Sequence, residues 1–220
     1  MSDGRLVELE NLVSSVWPEL SPSQKRGVVR FYELLLAENE VQNLTRLISP
    51  KDFLEGHLLD VKELLVSGLV KYPAMDLGSG GGVPGLLAAV IQGESWVLAD
   101  SEGRKATFLM AAAEKLGLAN VQVFSGRGEE FLKRGSVGSV VARAVGSVEK
   151  IYAWLRPCST WNNLVLLKGP GWDAEWKTFQ ESKHRKELKV ANEYAYRVGE
   201  PAKSLRIVRV ERVNVPRGTK

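Results

Sequence analysis

Over the first 70 residues, apolar positions recur at helical spacing. Leu6, Leu9, Leu12/Val13 and Val16 form one stripe, and Trp17-Pro18 ends it. Ser21-Pro22 then starts a helix, with Ser21 as N-cap and Pro22 at the first helical position. That helix carries Val28, Phe31/Tyr32 and Leu35/Leu36 and fades near Asn39. Ser49-Pro50 repeats the start signal. Leu54, Leu58, Val61 and Leu65 come next on one stripe, with Gly68 as the stop. Residues 1–70 therefore read as an N-terminal helical extension.

The period changes near Tyr72. Short apolar runs fit strands at Ala74–Leu77, Trp96–Asp100, Val121–Phe124, Ser139–Ala142, Asn163–Leu167, about Val190–Tyr196, and Leu205–Val213. Helical patterns fall between the first five, at about 84–92, 103–116, 128–134 and 147–156. Strand alternating with helix predicts an α/β domain over 71–220, its mostly parallel sheet covered on both faces. Only the short loop Gly199-Glu200-Pro201 separates the last two strands, which predicts a terminal antiparallel hairpin. The expected fold is a seven-stranded, Rossmann-like sheet. Leu205–Val213 does not alternate cleanly, so its pattern leaves the register open.

Composition narrows the class. The 220 residues are 44% hydrophobic and 25% charged, as in an ordinary globular protein. One cysteine, Cys158, and two histidines, His57 and His184, give no disulfide framework and too few ligands for a structural zinc site, so no metal is expected. The opening MSDGRLVELE lacks the pattern of a signal peptide, and no apolar run approaches the ~20 residues of a membrane span. A cytoplasmic location is expected. The net charge of +4 is uneven: Lys183–Lys220 holds eleven Lys/Arg against four Asp/Glu, a local +7. Such a basic end suits a polyanion such as nucleic acid, or is simply a solvated tail.

The segment richest in chemistry is Asp76-Leu-Gly78-Ser79-Gly80-Gly-Gly82-Val83-Pro84-Gly85, between the first strand and a helix. Glycines let the chain turn sharply and let a ligand approach the main chain. Residues 80–85 formally satisfy the dinucleotide pattern G-x-G-x-x-G. Asp76 argues against that ligand, because its carboxylate would repel a pyrophosphate. The same carboxylate suits S-adenosylmethionine, which carries an ammonium and a sulfonium. The pattern D-x-G-x-G-x-G resembles motif I of class I S-adenosylmethionine-dependent methyltransferases. Asp100 ends the second strand, where a carboxylate accepts ribose hydroxyls or caps the next helix; Ser101 is an alternative cap. Gly126-Arg-Gly128-Glu129-Glu130 comes after the third strand, on the adenine side in such a fold.

Arg143 ends the fourth strand, where substrate meets cofactor, and needs an anionic partner there: the cofactor carboxylate, Glu129 or an RNA phosphate. Lys168 comes after the fifth strand and is either a phosphate contact or a solvated loop residue. His57 and Asp60 are three apart on a helix, within reach of each other. No Asn/Asp-Pro-Pro-Tyr/Phe motif succeeds the fourth strand, which disfavours an exocyclic amine as target. Cys158 lies fifteen residues past Arg143, the wrong place for a C5-methylation nucleophile, and reads as structural. A target needing neither nucleophile nor strong base fits these absences. Guanine N7 is one, since its lone pair is already an acceptor.

Seven motifs in order resemble those of the glucose-inhibited division protein B (RsmG) family of bacterial small-subunit rRNA methyltransferases. They are Asn43-Leu44-Thr45, His57-Leu-Leu-Asp60, Asp76 to Gly85, Asp100-Ser-Glu-Gly-Arg-Lys105 with Phe108-Leu109, Gly128-Glu129-Glu130-Phe131, Ala142-Arg143-Ala144 and Leu167-Lys168-Gly169. The resemblance spans about residues 30–215 and departs at Gly81, where proline or alanine is expected. It implies methylation of guanine N7 in the decoding-region loop of 16S rRNA, at position 527 in the usual rRNA numbering, with S-adenosylhomocysteine as product. Asp76, Gly78, Ser79, Gly80, Gly82, Val83, Asp100, Ser101, Gly128, Glu129 and Arg143 are the expected cofactor residues. Gly78 and Val83 would flank the methionine part, and Gly128 and Glu129 the adenine. Arg143 and Lys168 are the expected catalytic residues, and Asn43, His57 and Asp60 would shape the substrate side. The expected partner is 16S rRNA or the 30S subunit, and the expected state a monomer. Two alternatives remain: an S-adenosylmethionine-binding ribosome-assembly protein without turnover, and an NAD(P)-dependent oxidoreductase.

Overall fold

A computed structural model describes residues 2–213. Helix α1 spans Ser2–Val16 and α2 spans Pro22–Gln42. Ser21 caps α2 as its sequence predicts. Its hydroxyl accepts the Gln24 N–H at 3.3 Å, and the Gln24 side chain accepts the Ser21 N–H at 2.7 Å. Asn43 ends α2 in the left-handed region, at φ 53°. Ser49 likewise caps the next helix, accepting the Asp52 N–H. That helix is not continuous. It comprises α3 (Pro50–Phe53), a π-helical turn over Leu54–Leu58, and α4 (Leu59–Val66). The extra residue of the π turn rotates α4 about its axis, so Val61 and Leu64 are buried rather than the expected Val61 and Leu65.

Seven strands complete the chain: β1 (Ala74–Leu77), β2 (Trp96–Asp100), β3 (Val121–Ser125), β4 (Val137–Arg143), β5 (Trp161–Lys168), β6 (Leu188–Val198) and β7 (Lys203–Arg212). They form one sheet in the order β3-β2-β1-β4-β5-β7-β6. The first five are parallel, and β7 pairs antiparallel with both β5 and β6. The predicted sheet and hairpin are both present. The connecting helices are α5 (Gly85–Ile91), α6 (Gly103–Lys115), the single turn α7 (Gly128–Phe131), and α8 (Val148–Leu155). A ninth helix, α9 (Trp172–Glu181), precedes the hairpin and is not among the expected elements. Its Trp172, Trp176 and Phe179 have helical spacing, and Trp172 and Phe179 are buried.

Two cores sandwich the sheet. Leu98, Val141, Val165 and Ile207 face one side and join Leu9, Phe31, Leu58, Leu86 and Leu109 of the N-terminal helices, α5 and α6. Val97, Val140, Leu164 and Val208 face the other and join Ile151, Trp172 and Phe179. Neighbours Ile207 and Val208 thus serve opposite cores, which is why β7 fails to alternate. The change of sequence pattern near residue 70 marks no break in packing, since the N-terminal helices share a core with the sheet.

The basic C-terminal segment is partly consumed internally. Arg206 forks onto Asp173, and Arg209 pairs with Glu211. Arg212 lies 4.0 Å from the Trp161 ring centroid and donates to the carbonyls of Leu155 and Cys158 at the end of α8. These three arginines are therefore not free phosphate contacts, whereas Lys183, Arg185, Lys186, Lys189, Arg197 and Lys203 are exposed. Arg217 and Lys220 lie outside the described residues. Among the described residues no helix is long and apolar enough to cross a membrane, and no group of three potential metal ligands occurs.

Candidate functional site

The glycine loop folds back over the end of β2. The N–H groups of Gly78 and Ser79 both donate to Ala99 O, at 2.8 and 3.1 Å. Gly78, Gly80 and Gly82 have φ of 72°, 53° and 88°, a region costly to any residue with a Cβ. Asp76 stands behind this loop. It is buried, and its Oδ2 accepts the Gly85 N–H at 2.8 Å. Burial pushes its carboxyl up to about 6, against the pull of that hydrogen bond. A Cβ on Gly85 would come within 2.6 Å of Asp76 Cβ, so only glycine admits this contact unstrained. Ser79 is buried too, its hydroxyl donating to Asp76 O. Asp76 is thus engaged with the loop backbone and does not itself line the cleft at the strand ends, where its expected contact with the cofactor would lie. Gly81 touches Leu35 and Leu44, and a Cβ there would sit 3.1 Å from Leu35 Cδ1.

Asp100 organises the neighbouring turn. Its Oδ2 accepts from Gly80 N at 2.8 Å and its Oδ1 from Glu102 N at 2.9 Å. It acts as a backbone clamp, and each oxygen keeps a further acceptor site. In front of it opens a cleft at the carboxyl ends of β1, β2 and β3. Gly78, Asp100, Ser101, Gly128 and Glu129 line it. Ser79, Gly80, Gly82 and Val83 do not line it; they shape the loop or pack beneath it. Leu77, Ala99, Gly126, Arg127, Val145 and Trp154 complete the wall. Val145 comes after Ala144, a left-handed alanine at φ 57°, and packs against Gly78. Gly128 is close to Leu77 and Met75, where a Cβ would collide.

Within the chain Arg143 pairs with groups other than Glu129, one of its anticipated partners. Its Nη1 donates to Asp60 Oδ2 at 2.9 Å and to Gly56 O at 2.8 Å, and its Nη2 donates to His57 Nδ1 at 2.7 Å. An arginine has only donors, so His57 Nδ1 accepts, and Nε2–H donates to Thr45 Oγ1 at 3.0 Å. Burial, with Arg143 second, lowers the His57 pKa to about 3, so the ring is neutral. Asp60 Oδ1 also accepts from Tyr196 OH at 2.7 Å. His57 and Asp60 thus meet on Arg143 rather than on each other. All three are largely buried, and none of them lines that cleft. Asn43 is a helix C-cap at the end of α2 and is exposed there.

Lys168 is also spent. Its Nζ donates to Glu175 Oε1 at 2.8 Å and to Gly146 O at 3.1 Å, so it ties α9 to the β4–α8 loop and is neither solvated nor open to a phosphate. Cys158 is buried, its thiol pKa raised by that burial, which fits its structural reading.

The chain's relatives agree on one family. Residues 24–200 match the family model for rRNA small subunit methyltransferase G. The ribosomal RNA small subunit methyltransferase G of Yersinia enterocolitica is 31% identical over 80% of this chain and 86% of its own length. That of Synechococcus elongatus is 36% identical over 80% of this chain and 76% of its own. The chain belongs to the rRNA small subunit methyltransferase G family. Membership decides for a methyltransferase over an oxidoreductase. Among solved structures, the Bacillus cereus O-methyltransferase in complex with S-adenosylhomocysteine shares the fold at TM-score 0.58 and 15% identity, over 96% of this chain and all of that one. A putative RNA methyltransferase from Pyrococcus horikoshii shares it at TM-score 0.53 and 14% identity, over 82% of this chain and 98% of its own.

Proposed function

We propose that this methyltransferase transfers a methyl group from S-adenosylmethionine to N7 of a guanine in 16S rRNA, the decoding-region guanine 527. One observation supports the chemical part of this reading: none of His57, Cys158, Arg143 and Lys168 is free to act as a base or nucleophile. His57 is neutral and bonded at both nitrogens, Cys158 is buried, and Lys168 and Arg143 are held in ion pairs. Guanine N7 needs no proton removed, because its lone pair is available as it stands. The enzyme's work is then to hold the two reactants in line and keep water out.

The cleft fits the cofactor. Asp100 offers acceptor sites for ribose hydroxyls, Gly78 presents bare backbone, and Leu77, Ala99 and Val145 offer apolar walls. When bound, S-adenosylmethionine supplies an activated methyl group. Under this reading the enzyme works in the cytoplasm as a monomer, on 16S rRNA or the 30S subunit. The test is to incubate the protein and labelled S-adenosylmethionine with 30S particles lacking the modification. Borohydride–aniline cleavage then maps 7-methylguanosine. One strong stop in the decoding-region loop is expected. Label elsewhere refutes the target. No label, with S-adenosylhomocysteine still binding, favours the assembly protein without turnover.

A further inference from the structure

The cleft wall contains a side chain that none of the motifs carries. Trp154 lies on α8 beside the stripe Val148, Ile151, Tyr152 and Leu155 that fills the core. It is only half-buried, whereas Trp96, Trp161 and Trp172 are enclosed. Its ring reaches the cleft that also exposes Arg127 and Asp100. Lys150 Nζ sits 5.2 Å from the ring centroid, a cation against the indole.

An indole left partly wet at a cleft mouth offers a flat apolar surface, and the Arg127 guanidinium on the same cleft wall, 3.8 Å from Glu129 Oε1, offers a second flat one. Together they match a planar heteroaromatic ring, which either can stack. The aliphatic end of a cofactor would gain little from them. The same cleft carries the Asp100 carboxylate, suited to a ribose diol. A base surface and a diol acceptor in one cleft describe a nucleoside.

We infer that Trp154, with Arg127, is the purine wall of the cofactor cleft and holds the adenine of the adenosyl group. This rests on the S-adenosylmethionine reading above. It assigns a specificity role to α8, an element whose sequence otherwise reads as core packing. A base stacked on an aromatic residue loses about 1–3 kcal/mol on truncation to alanine, roughly a fivefold to 150-fold change in Kd.

The test is S-adenosylhomocysteine titration of wild type, W154F and W154A, by calorimetry and by tryptophan emission. Far-UV circular dichroism of each variant checks its fold. Wild type should bind and its emission should change. W154F, which keeps a stacking ring, should bind within about threefold of wild type but lose most of the emission change. W154A should bind at least fivefold more weakly. W154A binding within twofold of wild type overturns the inference. So does an unchanged Kd for S-adenosylhomocysteine with a raised KM for rRNA, which would put the substrate base on Trp154. If W154A does not fold, equal emission changes in W154F and wild type overturn it. Wild type that binds no S-adenosylhomocysteine overturns the cofactor reading itself, and this inference with it.

Discussion

Removing Asp60 tests the network that ties β4 to the N-terminal helices. Arg143 makes three hydrogen bonds into that layer, to Gly56 O, His57 and Asp60. Only Asp60 carries a compensating charge, since His57 is held neutral. The two side chains are 19% and 13% exposed, so water replaces little of what is lost. Asp60→Ala leaves a guanidinium buried without a counter-ion and takes an acceptor from Tyr196. Truncating one member of a buried pair costs about 3–5 kcal/mol. The residual exposure and two surviving neutral contacts put Arg143 near the lower end, about 3 kcal/mol. Against a total stability of roughly 5–15 kcal/mol, that is a large share. Urea denaturation at pH 7, monitored by far-UV circular dichroism, measures the loss. The double variant Asp60→Leu/Arg143→Met removes both charges and should recover much of it, because apolar side chains need no counter-ion. A loss under about 1 kcal/mol in Asp60→Ala, or a double variant no more stable than the single, would refute this account.

Asp76 gives a prediction in pH. Burial raises its folded pKa to about 6, above the unfolded value of about 4, so the folded chain takes up the proton first. Its contribution to stability is therefore greatest below about pH 4 and declines as pH rises through about 6. Asp76→Asn keeps an acceptor for Gly85 N–H and removes the titration. The stability of wild type relative to the variant should fall between about pH 4.5 and 7.5, measured by urea titration, and a flat difference would sink the claim. Gly85→Ala should destabilise by about 1–3 kcal/mol through overpacking against Asp76 and Leu98, although alanine usually favours a helix. An unchanged thermal midpoint would show that the loop yields at no cost.

Features governed by neighbours in the chain were legible without a structure. Ser21 and Ser49 cap their helices because an N-cap oxygen reaches an amide three residues on. The glycines at 78, 80 and 82 announce left-handed turns, and alternating strands and helices announce the parallel sheet. Pro170-Gly171 reads as loop, and that obscured α9 behind it, although the spacing of Trp172, Trp176 and Phe179 carried the signal. Other outcomes had no local signal. Arg143 plainly needed an anion, but Asp60, 83 positions earlier, becomes its partner only when α4 packs beside the end of β4. The π turn is in place where Gly56 O, His57 and Asp60 converge on that guanidinium. The arginines of the hairpin promised a phosphate surface, yet Arg206 and Arg212 are spent on α9 and on the end of α8. Val145 and Trp154 reach the cleft through the way α8 lies on the sheet. Propensity and capping act over a turn or two of chain and are written in the order of residues. Counter-charges and cleft walls are set by which surfaces meet, and that is decided by burying both faces of the sheet at once.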